Sequence, residues 1–275
     1  MVCLIGGGQE IYQGEGGMEE WIRALINLFP DWKIYASPEV DEKNYVPKTI
    51  FESLGNRVVR NKKLHLKTSV RSFRSERLSD AVEFLLAGDI ARGKELFDNL
   101  SEKYPIALSR SLPKAKKWVK DHARGSERYG ILASSGAKRL RPEGITVDKK
   151  ADVCHWFLSE RNDVRSSFYM EDVATEFDVQ GLELDWAVVA WDINLRRNAD
   201  LQIWDYKRFR GTKWEQIKKE EDRRFLMNSY RVLLTRARQG FVIFVPFGSD
   251  TDITRLPQEY DSVYSYLVRF GFEEL

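Results

Sequence analysis

Three guanidinium groups lie close together near the C-terminal end of the chain, Arg231, Arg236 and Arg238, in the run Asn228-Ser229-Tyr230-Arg231-Val232-Leu233-Leu234-Thr235-Arg236-Ala237-Arg238. A guanidinium keeps its charge at any physiological pH and meets phosphate oxygens through a planar fork. The cluster therefore suits a phosphate-bearing ligand, although a basic helix face turned to solvent uses the same residue types. A second group surrounds a glycine: Asp178, Glu183 and Asp185 around Gly181. A glycine turn lets backbone approach a ligand closely. The carboxylates fit a ligand contact, plain surface charge or a metal-binding nuclease cluster, and the last lacks a lysine at a convincing offset. Near the start, Gly6-Gly7-Gly8 precedes Gln9, and a polar residue after a strand and a glycine turn often points at a ligand above the sheet. Residues 57–77 hold Arg57, Arg60, Lys62, Lys63, Lys67, Arg71, Arg74 and Arg77 against the single acid Glu76, a density able to neutralise several phosphates or to solvate a strand edge. Gly88 to Glu95 almost spells a phosphate-binding loop, but Glu95 stands where a hydroxyl must bind magnesium. That segment is rejected as a nucleotide site.

These residues need elements to hold them. Tyr230, Leu233 and Leu234 recur at helical spacing, so 228–238 reads as a helix, with Gly240 able to end it and Phe241 to Val245 following as a buried strand. Val173 to Asp192 reads as strand, glycine turn, strand. Gly130 to Ala133 reads as a buried strand, followed by Ser134-Ser135-Gly136-Ala137-Lys138-Arg139. Small residues after a parallel strand are where α/β proteins bind ligands. Helices are expected over 18–29, from 78, through 90–100, over 112–120 and from 260. Between 196 and 224 lies a polar insertion in which Trp204, Tyr206, Phe209 and Trp214 alternate with basic residues. Such a mixture stacks bases or packs the insertion onto its own domain. Alternation of strands with helices makes the class α/β with a largely parallel sheet.

Composition limits the partners. The 275 residues suffice for one or two domains, and 43% apolar with 31% charged residues is a globular balance. With a net charge of +2 any nucleic-acid surface has to be a local patch. Cys3 and Cys154 stand far apart, which points to a reducing, cytoplasmic setting without a disulfide framework. The scattered His65, His122 and His155 read as structural. The sequence carries neither a signal peptide nor a run of apolar residues long enough to span a membrane.

The wording of four segments adds a resemblance. Tyr230-Arg231-Val232-Leu233-Leu234-Thr235-Arg236-Ala237 resembles motif VI of superfamily-one helicases, the UvrD-like group. Gly6 to Tyr12 resembles motif III, with Gly7 and Gly8 in place of acidic residues. Leu66 to Ser72 resembles motif IV, with Ser69 and Val70 departing from it. Thr175 to Leu184 resembles motif V, with Phe177 and Gln180 replacing histidine and lysine. The segments fall in family order and cover nearly the whole chain. The wording is also similar to a bacterial family of DNA/RNA helicases with a domain of unknown function.

The resemblance implies a RecA-like P-loop NTPase fold, namely the second motor domain, with a mostly parallel sheet flanked by helices. Residues 1–60 would end the first RecA-like domain, and 61–275 would form the second, with an insertion near 193–224. It implies ATP with Mg2+ as cofactor, the metal ligands lying on an N-terminal half. Arg236 would be the arginine finger, Arg71 would touch the nucleotide phosphates and Gln9 would sense the γ-phosphate. Gly181 would approach the phosphates and Glu183 would bond the ribose. Ser134, Ser135, Lys138, Arg139 and Thr175 would face single-stranded DNA or RNA. Motif III normally closes the first motor domain, so the chain reads as a fragment, inactive until joined to its N-terminal RecA-like partner. The alternative is a non-catalytic nucleic-acid-binding module that kept the fold.

Overall fold

The computed structural model describes residues 1–3, 10–12, 17–38, 40, 48–65, 77–101, 103–198 and 202–275. Gln9 and Arg71 lie outside the described residues, as does the whole segment resembling motif IV. The chain forms two compact units, Met1–Val70 and Arg71–Leu275.

In the first unit, helix α1 (Gly17–Asn27) buries Met18 and Ile22 from one face against Phe51 and Leu54. Phe51 belongs to the short helix α2 (Lys48–Glu52). Strands β1 (Ile34–Ala36) and β2 (Val58–Arg60) pair in parallel. The Arg57 guanidinium donates to the carbonyls of Leu25 at 3.2 Å and Phe29 at 2.9 Å, where α1 leaves acceptors open at its C-terminal end.

The second unit opens with helices α3 (Leu78–Ala87) and α4 (Ile90–Ser101). Gly88, at φ +82°, ends α3 in the left-handed conformation that glycine adopts without strain. The look-alike phosphate loop is thus a helix stop and a helix, and a Cβ on Gly93 would lie 2.1 Å from the Phe270 ring. Next come β3 (Ile106–Ser109), α5 (Leu112–His122), β4 (Tyr129–Ala133), α6 (Val153–Leu158), β5 (Val173–Ala174), the single turn α7 (Glu176–Val179) and β6 (Leu184–Ala190). The insertion folds as three antiparallel strands, β7 (Leu195–Arg197), β8 (Trp204–Arg210) and β9 (Lys213–Gln216). The chain closes with α8 (Glu220–Leu234), β10 (Ala237–Phe244), α9 (Pro257–Phe270) and β11 (Glu273–Glu274).

Among the described residues the main sheet has six strands in the order β11-β3-β10-β6-β4-β5, every pair parallel. β3 and β4 are buried along their whole length, as expected for parallel strands covered on both faces. Val188, Ala190, Val242 and Phe244 pack with Leu112, Ala115 and Val119 of α5 on one face. Residues of opposite parity line the other, where Phe241 meets Tyr104 and Phe272. The unit is therefore α/β with helices flanking a parallel sheet, consistent with a RecA-like fold. No helix among the described residues is long and apolar enough to cross a membrane.

Two local expectations change, and one of two open alternatives is chosen. The helix before β10 stops at Leu234, not at Gly240, which sits inside β10 after a register shift. Trp186 and the Pro105 carbonyl fill the space of a Cβ there, at 2.6 and 2.4 Å, so close packing rather than helix termination requires glycine. The segment between β5 and β6 contains the extra turn α7. The aromatic residues of the insertion anchor it: Trp204 stacks on Trp191 and donates to the Leu86 carbonyl at 2.6 Å. Trp214 donates to the Thr254 carbonyl at 2.8 Å, and the Arg139 guanidinium covers Phe209.

Candidate functional site

A parallel sheet has two chemically distinct edges, and the candidate residues divide between them. At the C-terminal edge, Ala133 of β4 pairs with Ala190 of β6, and Leu132 with Ala174 of β5. Ser134 and Ser135 follow the first strand, Asp192 the second and Thr175 the third. At the opposite edge, Leu184 of β6 pairs with Ala237 of β10, and the Leu184 amide donates to the Arg236 carbonyl at 3.0 Å. Gly181 and Glu183 lead into the first of these strands and Arg236 into the second. Of the residues expected to face nucleotide, Gly181, Glu183 and Arg236 thus lie at one edge, and those expected to face nucleic acid lie at the other; Gln9 and Arg71 are outside the described residues.

The C-terminal edge is built on buried polar groups. The Asp192 carboxylate is fully buried and accepts from the Tyr260 hydroxyl at 2.8 Å, the Ile193 amide at 2.8 Å and the Arg139 amide at 2.9 Å. Burial pushes its pKa up, while those hydrogen bonds and the charge of Arg255 oppose the rise. Ser134 is buried, its hydroxyl accepting from Asn194 at 3.1 Å and from the Gly136 amide at 3.2 Å. The Tyr230 hydroxyl completes this network by donating to Asn194 Oδ1 at 2.6 Å. Glu176 is 2% exposed and accepts from the Ser135 amide at 2.8 Å and the Ser135 hydroxyl at 2.7 Å. Burial raises its pKa against the pull of those two bonds. Both the amide and the hydroxyl of Thr175 donate to Asp178 Oδ2, at 2.8 and 2.7 Å, which pins the start of α7. Arg139 pairs with Asp252 at 2.6 Å, and the buried Arg255 pairs with Glu143. Lys138 is exposed and reaches Asp148 at 3.1 Å.

The N-terminal edge is more open. Gly181 is exposed at φ +87°, with nothing within 4 Å of where a Cβ would stand. Glu183 Oε2 lies 3.8 Å from Arg238 Nε, and Asp185 Oδ1 lies 3.9 Å from Arg238 Nη1. The Arg238 side chain is 51% exposed. Arg236, two residues earlier, is 0% exposed. Its Nε donates to the Val232 carbonyl at 3.1 Å and its Nη1 to the Val179 carbonyl at 3.5 Å. Two arginines of one short motif thus have opposite settings, one inside the domain and one at its surface.

The carboxylates raised as a nuclease cluster have other duties: Asp178 serves Thr175, and Glu183 and Asp185 flank Arg238. Among the described residues no group of His, Cys, Asp or Glu is placed to hold a metal ion. Sequence reasoning missed Glu176 and Asn194, and it named Asp192, Tyr230 and Tyr260 only as parts of a strand end and two helices, not as members of a buried network. The signal of Glu176, Asp192 and Asn194 was a carboxylate or amide soon after an apolar strand, which reads equally well as a solvent-facing turn.

The family described as Schlafen group 3, DNA/RNA helicase domain, matches residues 1–246. No curated protein and no solved structure matches the chain. The match covers the first unit and the second as far as Pro246, so the chain belongs to the Schlafen group 3 DNA/RNA helicase domain family.

Proposed function

We propose that the chain is the C-terminal motor half of an ATP-dependent helicase or translocase of the UvrD-like kind, acting on single-stranded DNA or RNA in the cytoplasm. One observation carries the reading. Gly181, Glu183 and Arg236 gather at one edge of a parallel sheet, and Ser134, Ser135, Lys138, Arg139 and Thr175 gather at the other. A motor that turns nucleotide hydrolysis into movement along a strand needs two such surfaces on one rigid body.

The residues of the N-terminal edge fit ATP in part. Gly181 leaves open space for phosphates, and Glu183 is accessible to a ribose hydroxyl. Arg236 points inward, so its service as a finger requires the α7–α8 junction to open. Bound ATP would supply the phosphoryl group, and Mg2+ would be held by the N-terminal RecA-like partner. Arginine fingers accelerate phosphoryl transfer by about 10³- to 10⁵-fold in other NTPases. The 275 residues contain no complete Gly-x-x-x-x-Gly-Lys-Ser/Thr, so the chain alone is expected not to hydrolyse ATP. The burial of Arg236 favours one competing reading, a non-catalytic nucleic-acid-binding module with the same fold.

Two measurements test this. Fluorescence anisotropy should show a labelled single-stranded oligonucleotide binding with an affinity that falls steeply with salt. Absence of binding at low salt would sink both readings. A phosphate-release assay should show no magnesium-dependent hydrolysis by the chain alone, and hydrolysis abolished by Arg236→Ala would refute the expected inactivity. Addition of the N-terminal RecA-like half separates motor from module: only the motor then turns over ATP.

A further inference from the structure

The single turn α7 is fastened at both ends, and each fastening leads to a different edge of the sheet. At its first residue, both oxygens of Glu176 hold Ser135, one on the amide at 2.8 Å and one on the hydroxyl at 2.7 Å. At its last residue, the Val179 carbonyl receives Arg236 Nη1 at 3.5 Å. Between them, Asp178 takes both donors of Thr175, so the turn has little freedom to unwind. Glu176 and Arg236 are both buried, at 2% and 0% exposure. A carboxylate inside a protein is costly unless its oxygens are hydrogen-bonded. Here the two oxygens fix one serine in orientation as well as distance, which a single hydroxyl acceptor would not do.

We infer that Glu176 is a positioning residue that makes α7 a strut between the edges, so that a nucleic-acid strand docking on the loop 134–139 resets the seat of Arg236. The inference rests on the proposal that the C-terminal edge takes single-stranded nucleic acid. Movement of the loop carries Ser135, Ser135 carries Glu176, and the far end of the same helical turn carries the carbonyl on which Arg236 rests. No other residue of α7 reaches the loop through both of its side-chain oxygens.

Hydrogen–deuterium exchange of the full chain, with and without a single-stranded oligothymidylate, tests it. In the native protein, bound oligonucleotide should change exchange of the amides in 231–237 by about fivefold or more, the lower end of coupling between linked sites. Glu176→Gln should keep that response, because its amide oxygen can accept from the Ser135 amide while its NH2 donates to the hydroxyl. Glu176→Ala, measured at oligonucleotide concentrations that saturate it, should still bind but lose the response. Should the alanine variant fail to fold, Glu176→Met fills the same volume without the acceptors and carries the same expectation. A response retained in a folded Ala or Met variant overturns the inference, as does an unchanged 231–237 in the native protein when the oligonucleotide is bound. A native chain that binds no oligonucleotide overturns the underlying functional reading and the inference with it.

Discussion

The two edges of the sheet solve different problems with the same residue types. At the C-terminal edge, Asp192 and Glu176 are buried and hydrogen-bonded by their neighbours, and Arg139 and Arg255 are held by Asp252 and Glu143, so polar chemistry there builds a stiff platform. At the N-terminal edge, Arg238 is half exposed and makes only contacts of 3.8 to 3.9 Å, to the less exposed Glu183 and Asp185, and Gly181 borders open space. A hydrogen-bonded carboxylate in the interior resists change, because removing it strands its donors. A loose surface pair gives up its partner at little cost. The first arrangement holds a shape, and the second leaves Arg238 only loosely held. Substitutions at matched residue types on the two edges can break this contrast.

The largest effect belongs to Asp192. Replacing it by alanine leaves the Tyr260 hydroxyl and the amides of Ile193 and Arg139 without their buried acceptor. Urea denaturation should show a loss of about 3 to 5 kcal/mol. A loss below about 1 kcal/mol, typical of a surface change, would mean that the platform is not held from within. Next come the paired arginines. Arg236→Ala removes a fully buried side chain and its bonds to Val232 and Val179, and should cost about 2 to 4 kcal/mol. Arg238→Ala should stay within about 0.5 kcal/mol. Equal losses would erase the difference in setting between the two.

Glycines give a third comparison. Gly240→Ala drives a methyl to 2.4 Å from a backbone oxygen and 2.6 Å from Trp186, overpacking that should cost about 1 to 3 kcal/mol. Gly181→Ala meets no neighbour but must hold φ +87°, a strain of about 1 to 2 kcal/mol. The two differ in remedy. Trp186→Leu should relieve the ring part of the first substitution but not its contact with the Pro105 carbonyl, and nothing at a neighbouring position should relieve the second.

A subtler contrast is carried by pH. Burial raises the Glu176 pKa above its value in the unfolded chain, against the hydrogen bonds of Ser135 and Ser229. The folded protein then binds the proton more tightly than the unfolded chain, so this group favours folding at low pH. That contribution is lost as pH rises from about 4 through the raised value. Glu176→Gln cannot titrate, so the stability of the native protein relative to this variant should fall over that range. Asp192 shifts in the same direction but is present in both proteins and cancels. A stability difference that grows with pH would show that the carboxylate is stabilised in its charged form.

Much of this was legible in the residues. The strands β4, β6 and β10 announce themselves as apolar runs, and the helical spacing of Tyr230, Leu233 and Leu234 places α8. The separation of two candidate sets also follows from the sequence, since residues just after a parallel strand and residues just before one occupy opposite edges. What was not legible is depth. Arg236 and Arg238 stand two apart with the same charge, and only the packing of α7 against α8 sends one inside. Gly240 read as a helix stop because local pattern cannot reveal that Trp186, more than fifty residues away, fills its Cβ space. Trp204 and Trp214 suited base stacking as well as anchoring until their indole N–H groups were seen on the Leu86 and Thr254 carbonyls.

The smallest effect is the most direct measure of how open the N-terminal edge is. Arg238 lies 3.8 Å from Glu183 and is half exposed, so solvent screens the pair. A double-mutant cycle over Arg238→Ala and Glu183→Ala should return a coupling of about 0.2 to 1 kcal/mol. Raising salt from about 0.1 M to 1 M shortens the screening length from about 10 Å to 3 Å and should shrink the coupling further. The corresponding test at the other edge, a cycle over Arg139→Ala and Asp252→Ala, concerns a pair at 2.6 Å with both side chains less than a third exposed. Its coupling should be larger and less sensitive to salt, because the partners are better shielded. If the two cycles gave the same value and the same salt response, shielding would not be what separates the edges. The exposure of Arg238 would then need another source.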